Sequence, residues 1–346
     1  MDIFDLRVLR RVIAELPPAP AFLLNAFFPE VDESTEETIE FHYVKGRRRI
    51  APFVSPLVAG KVVTGDGYEV NSFKPAYVKD KRVFDATVGF KRRVGEKIGG
   101  ELTPEQRRQA ALREATADQI DMLTRRFEVM AAEALLEGKQ TITGDLYPTR
   151  VVDFKRKPGL RKVLVDVARW GEAGVNPIKN LEAWADEVFK ASGKAPTDIV
   201  MTPDSWDLLK EFMAKDEAAQ KLLDTKVRQM STAMIDLGPV NVNGDGARLV
   251  GYLGNWRLWV YSDQYEDDNG AEVDVLPPFT VIMTSSGVEG VRHFGAIKDE
   301  KAGLQAMQFF QKSWVDEDPP VRWLLMQSAP LIVPYRVNAT LGATVR

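Results

Sequence analysis

Residues 103–138 read TPEQRRQAALREATADQIDMLTRRFEVMAAEALLEG, and this stretch decides the fold. Thr103 is placed to cap a helix, Pro104 suits its first turn, and Gln106 stands three residues after the cap. Helix-favouring residues continue to Glu137, and Gly138 ends them. Ile120, Leu123, Phe127, Met130 and Ala134 step by three and four along one face, while Arg113, Asp118, Asp121, Arg125, Arg126 and Glu133 fall opposite. At 1.5 Å per residue such a helix is a rod of about 50 Å. A narrow apolar stripe on so long a rod predicts a strut that backs a sheet.

On the N-terminal side, residues 51–98 read as β structure. Val54, Val58, Val62, Val63 and Val70 favour strands, and Phe84, Ala86, Val88 and Phe90 alternate with Asp85, Thr87 and Gly89. Gly65-Asp66-Gly67 suits a hairpin turn. With too few large apolar residues for a core of its own, the stretch is expected to project and lie on a partner. Residues 1–50 read as an arm. A short amphipathic helix ends at Pro17-Pro18, and a greasy patch of Phe22, Leu23, Leu24, Phe27 and Phe28 ends at Pro29. An acidic run from Glu30 to Glu40, containing Glu36 and Glu37, precedes Lys45 and the cluster Arg47, Arg48 and Arg49. An arm with one acidic and one basic half can pair with complementary surfaces of a neighbour, so removing residues 1–30 is expected to leave a soluble folded subunit but to prevent stable assembly.

On the C-terminal side, 139–175 reads as strands, with a turn at Thr141-Ile142-Thr143-Gly144 and an alternating stretch from Val163 to Val167. From Asn176 the pattern becomes α/β. A helix spans Leu181 to Ala191, a buried strand spans Asp198 to Thr202, and a second helix opens at Pro203 with Trp206, Leu208, Leu209 and Phe212. Strands follow around Leu249 to Tyr261 and Val275 to Met283, then Gly290 to Ile297, Gln305 to Val315 and Val321 to Pro334.

Composition and motifs point away from catalysis. The 346 residues carry 46 basic and 50 acidic side chains, net −4, which lacks the basic surplus of a dedicated nucleic-acid binder. With no cysteine, the chain has no disulfide, thiolate metal site or cysteine nucleophile. No apolar run approaches the roughly 20 residues of a membrane helix. His42 and His293 lie far apart and outside any metal-ligand spacing. Gly65-Asp66-Gly67 and Gly244-Asp245-Gly246 do not continue into a phosphate loop, and Glu266-Asp267-Asp268-Asn269-Gly270 lacks the end residues of a calcium loop. No catalytic, cofactor-binding or metal-ligating residues are assigned. The clusters Arg47-Arg48-Arg49, Lys91-Arg92-Arg93 and Lys155-Arg156-Lys157 read as pairing sites for acidic surfaces.

Four segments in register carry a resemblance. They are Pro52-Phe53-Val54-Ser55-Pro56-Leu57-Val58-Ala59-Gly60, Phe73-Lys74-Pro75-Ala76-Tyr77-Val78-Lys79, Leu135-Leu136-Glu137-Gly138-Lys139 with Thr143-Gly144, and Gln327-Ser328-Ala329-Pro330-Leu331. In these the sequence resembles the lambda-type major capsid protein family of tailed bacteriophages. The resemblance implies an α+β class chain with the HK97-like capsid fold. Its parts would be an N-terminal arm (1–50), an extended β-loop (51–98), a peripheral domain (99–175) with a spine helix over about 104–137, an α/β axial domain (176–290), and return strands with the C-terminus (291–346). It implies a structural protein, not an enzyme, which self-assembles into hexamers and pentamers of an icosahedral head in the host bacterial cytoplasm. Expected partners are the chain itself, a separate scaffolding protein (no charged helical propeptide precedes the arm), a portal protein, a trimeric decoration protein and packaged double-stranded DNA held by weak non-specific contact; no membrane is expected. Subunit-interface candidates are Phe22, Phe27, Phe28, Glu36, Glu37, Arg47, Arg48, Arg49, Phe73, Tyr77, Arg92 and Arg93, with Gly99 and Gly100 as hinge candidates. An encapsulin-like compartment shell is the alternative, an α/β hydrolase a more distant one. Crosslinking of Lys79, Lys81 or Lys91 to Asn338 is not expected in this family.

Overall fold

The computed structural model describes residues 3–16, 20–34, 36, 38–44, 68–84, 102–144, 147–215, 246–267, 269–317 and 321–346. The first half comprises α1 (Leu6–Glu15), α2 (Phe22–Phe27), β1 (Glu30–Glu33), β2 (Ile39–Val44), β3 (Tyr68–Phe73), β4 (Val78–Phe84), α3 (Pro104–Glu137), β5 (Lys139–Gly144), β6 (Tyr147–Asp153) and β7 (Arg161–Val163). Then come α4 (Pro177–Ser192), β8 (Asp198–Met201), α5 (Pro203–Lys215), β9 (Ala247–Leu253), β10 (Trp256–Tyr261), β11 (Gln264–Glu266) and β12 (Glu272–Asp274). The last strands are β13 (Thr280–Thr284), β14 (Gly290–Phe294), β15 (Phe310–Asp316), β16 (Val321–Ser328), β17 (Pro330–Pro334) and β18 (Leu341–Thr344). No described helix is long and apolar enough to cross a membrane.

Helix α3 forms as its ends dictate. Thr103 accepts from the Gln106 N–H at 3.3 Å, and the Gln106 side chain accepts from the Thr103 N–H at 2.8 Å. Gly138 closes the helix at φ 68°. Arg156 donates to the carbonyls of Leu135 (2.7 Å) and Leu136 in the last turn. A cation there satisfies the orphan carbonyls and opposes the helix dipole. Burial pulls the Arg156 guanidinium down to about 10. A Cβ on Gly138 would also sit 2.7 Å from the Arg156 Nε, so this glycine serves both the turn and the cap.

A six-stranded sheet, ordered β7-β18-β13-β8-β10-β9, lies between α3 and the pair α4 and α5. Its central strands β8 and β13 are buried on both faces, which explains the unbroken apolar run in β8. The period of two divides the residues between two cores. Ile199, Met201, Val281 and Met283 pack with Leu181, Trp184 and Leu209 on the α4/α5 side. Val200, Ile282, Trp259 and Tyr261 pack with Phe127, Ala131 and Leu135 on the α3 side. A second sheet, β1-β14-β17, covers the same α3 face. A third, β15-β16-β4, lies over the N-terminal half of α3 and against α1, around Phe4, Leu9, Phe84, Leu112 and Leu324.

Three expectations change. Thr141-Ile142-Thr143-Gly144 is not a turn but most of β5, paired with β6, as its β-branched residues favour. The alternating stretch 163–167 leaves the sheet after Val163, because Val163, Val165 and Val167 are all exposed and have nothing to cover. The unit expected over 176–290 takes two strands from outside those bounds, β7 and β18, so its sheet is closed by the C-terminal region.

Strand β18 passes tightly over the end of α3. A Cβ on Gly342 would lie 2.1 Å from the Leu136 carbonyl oxygen. Gly342→Ala is expected to lower Tm sharply, by the equivalent of about 1–3 kcal/mol or more. Gly159→Ala, where nothing lies within 4 Å of the new Cβ, should leave Tm unchanged.

Candidate subunit interface

The arm is built into the body through one buried carboxylate. Glu128 sits inside the apolar stripe of α3, 1% exposed. Its two oxygens accept the backbone N–H groups of Leu23 and Leu24, each at 2.8 Å, at the start of α2. The Tyr261 hydroxyl, on β10, donates to the same carboxylate at 2.9 Å. Arg292, from β14, holds the other end of α2, donating to the carbonyls of Phe28 (2.6 Å) and Leu24 (2.9 Å) and to Asn25 Oδ1 (2.8 Å). A six-residue helix is too short to persist alone. Here distant charged groups satisfy both of its ends.

Beyond α2 the arm continues as β1, parallel to β14. Asp32 Oδ2 lies 2.8 Å from His293 Nδ1, and the Tyr335 hydroxyl lies 3.1 Å from Nε2. Burial pushes the His293 imidazole below its ordinary range, although Asp32 pulls it upward. Ahead of α2, Glu15 on α1 pairs with Arg113 at 2.6 Å, and Phe4 meets Phe84 edge-on at 5.1 Å.

The expected contact residues therefore divide. Phe22, Phe27 and Phe28, expected on a neighbour, lie instead in the chain's own core, each no more than 3% exposed. They fill the space between α3, β10 and the β1-β14-β17 sheet, so their apolar area is already used. Phe73 packs partly buried against the same core. The Tyr77 hydroxyl donates to the Ala296 carbonyl at 2.7 Å and accepts from the Lys298 N–H at 3.2 Å, which ties the segment before β4 to the body. Glu36 is exposed, as are all four residues of β1. Glu37, Arg47, Arg48, Arg49, Arg92, Arg93, Gly99 and Gly100 lie outside the described residues. Asn338 accepts from the Lys157 N–H at 2.9 Å.

The open surface over α3 forms two grooves. One, of 510 Å³, runs between Asp118, Asp121 and Arg125 on α3 and Tyr265 and Glu266 on β11. The other, of 440 Å³, lies between Val129 and Glu133 on α3, the β5–β6 hairpin and Tyr77. Arg126 and Val129 line both. Among the described residues, no group of three or more His, Cys, Asp or Glu side chains could hold a metal ion.

Sequence reasoning missed Glu128, Arg292 and Tyr261. A signal for Glu128 existed: it stands four residues after Thr124 and three before Ala131, inside the stripe and not opposite it. Burial drives its carboxyl up, to about 7, against the three donors that pull it down; Asp263 adds a smaller upward push. A carboxyl whose folded value is raised contributes most stability below its unfolded value near 4.5 and loses that contribution as pH rises through about 7. Tm of the wild-type chain should therefore carry a component that falls across this window, and Glu128→Gln should flatten it. The same variant should lower Tm at every pH, because an amide cannot accept all three hydrogen bonds.

The burial of α2 also reverses the expectation for an arm deletion. Removing residues 1–30 strips nine buried apolar side chains, from Phe4 to Phe28, and leaves Glu128 buried with only Tyr261. An uncompensated buried charge costs roughly 3–5 kcal/mol. The truncated chain should be recovered as insoluble or protease-sensitive protein, which limited proteolysis and sedimentation would show.

A family model described as phage major capsid protein E matches residues 5–345. The major capsid protein of Enterobacteria phage phi80 is 30% identical over 324 residues, covering 91% of this chain and 90% of that protein. The major capsid protein of Escherichia phage lambda is 29% identical with the same coverage. Among solved structures, the putative capsid protein of a prophage of Escherichia coli CFT073 superposes with a TM-score of 0.71 at 24% identity, covering 98% of this chain and 96% of that one. The architecture is the HK97-like capsid fold.

Proposed function

The chain belongs to the phage major capsid protein E family, and from that premise we propose how this phage capsid protein builds its shell. Copies assemble as hexamers and pentamers into an icosahedral head around double-stranded DNA, in the cytoplasm of the host bacterium. A separate scaffolding protein guides assembly, a portal protein occupies one vertex, and a trimeric decoration protein docks near the arm and loop. The subunit's role is structural. The His293 ring is held between Asp32 and Tyr335. An encapsulin compartment has less support, since the curated relatives matched over nine-tenths of the chain are phage capsid proteins.

One observation carries the contact scheme. β2 and β3 stay paired from Ile39–Phe73 out to Val44–Tyr68, so Val44 and Tyr68, which flank residues 45–67 in sequence, lie side by side. That stretch holds Arg47, Arg48 and Arg49, and the stretch after β4 holds Arg92 and Arg93. The exposed acids Glu30, Glu33 and Glu36 of a neighbouring copy are their complement. Many weak, solvent-exposed charge pairs let a misplaced subunit leave and are screened by salt. The same basic residues hold DNA only weakly and without sequence preference. Gly99 and Gly100, just ahead of the Thr103 cap, act as the hinge on which loop and spine helix re-aim during maturation.

Negative-stain electron microscopy of the chain expressed alone should show closed shells, tubes or capsomer rings, fewer of them as salt is raised. A monomer that added scaffolding protein does not convert into particles would overturn the shell reading and favour a hydrolase in the α/β region.

A further inference from the structure

The outward face of the β15-β16-β4 sheet is not wholly absorbed by the fold: Phe310 is covered by Ile297 and Ala302, but Trp314 and Trp323 stay partly exposed. Its inner face is absorbed: Gln311 donates to Gln119 Oε1 (2.8 Å) and Thr116 Oγ1 (3.1 Å) on α3, and Arg82 reaches Asp118. On the other face, Trp314 stands directly across from Trp323, and Trp323 from Val83. The two indoles stack at 6.4 Å. Lys81 Nζ sits 3.7 Å from the Trp323 ring centre and 5.4 Å from that of Trp314; Lys312 lies 5.6 Å from the latter but is paired with Asp299 of its own subunit. Val83 is 59% exposed. Apolar area beneath a layer of cations is the composition of a contact patch that selects for negative charge.

The same chain carries a complement elsewhere. Residues 263–274 contain six acids, and no Lys or Arg occurs between Arg257 and Arg292. The β11–β12 hairpin projects this charge on a fixed frame: Asp267 Oδ1 accepts the N–H groups of Asn269 (2.8 Å) and Ala271 (2.9 Å), and Gln264 donates to Asp274 at 2.7 Å. All three residues of β12 are exposed, with Glu272 and Asp274 on one face of the strand and Val273 on the other.

We propose that the outward Trp314–Trp323–Lys81 face of one subunit receives the β11–β12 hairpin of a second copy. This rests on the shell-forming reading. Two different patches that complement each other make a head-to-tail contact, the kind that closes into rings when its rotation allows. Within it the face of β12 that carries Glu272 and Asp274 meets Lys81 and the indoles.

The test is a charge-reversal cycle in the full-length chain, with wild type alongside. Lys81→Glu and Glu272→Lys/Asp274→Lys should each reduce particle yield by on the order of tenfold or more, and the triple variant should recover it. Particle yields unchanged in either of the first two variants, or no recovery in the triple variant, would overturn the proposal. So would normal shells with reduced DNA content in the Lys81→Glu variant, which would make the face a nucleic-acid contact. If the reversed variants fail to fold, a Lys81→Cys/Glu272→Cys variant of this cysteine-free chain can be treated with a short bismaleimide. A ladder of covalent oligomers is expected; linkage within monomers only, or none, overturns the proposal. A wild-type chain that forms no particles under any condition would sink the shell reading first, and this contact with it.

Discussion

The Glu128 carboxylate is the constraint on which the rest of the subunit depends. It faces three parts of the chain at once: the start of α2, the end of β10 and its own helix. Placing an acid in an apolar stripe is costly unless donors are supplied, and those donors exist only when all three parts are in place. The arm, the spine helix and the six-stranded sheet are thus specified together. Arg292 completes the arrangement from a different sheet, so the seating of α2 reports on the packing of most of the molecule.

Much of this was legible in the sequence. The limits of the spine helix follow from Thr103, Pro104, Gln106 and Gly138, local signals that act through the helix's own backbone. The double-sided burial of Ile199, Val200 and Met201 is written as an unbroken apolar run. The lambda-type resemblance ordered these elements into a capsid fold before any contact was known.

What the sequence hid depends on partners remote in the chain. Phe22 to Phe28 read as an exposed patch because the cavity that takes them is made by residues more than a hundred positions later. Val163 to Val167 alternate as a strand would, yet the pairing with β18 ends at Leu164, and Val163, Val165 and Val167 have no surface to cover. The placement of β18 between β7 and β13 has no local signal, because Leu341 to Thr344 are small and few. Of the candidate contact residues, the phenylalanines proved internal, while the surface built by Trp314, Trp323 and Lys81 shows itself only once strand register brings them together.

The strand order has a temporal meaning. Residues 161–163 and 280–284 are joined in one sheet only through 341–344. A ribosome therefore releases most of the chain before that sheet can be completed, and contacts so distant in sequence form late. Until residue 344 has emerged, β13 has an open edge and α3 lacks the strand that presses on its last turn. A half-made subunit thus exposes a sheet edge that β18 covers in the finished one.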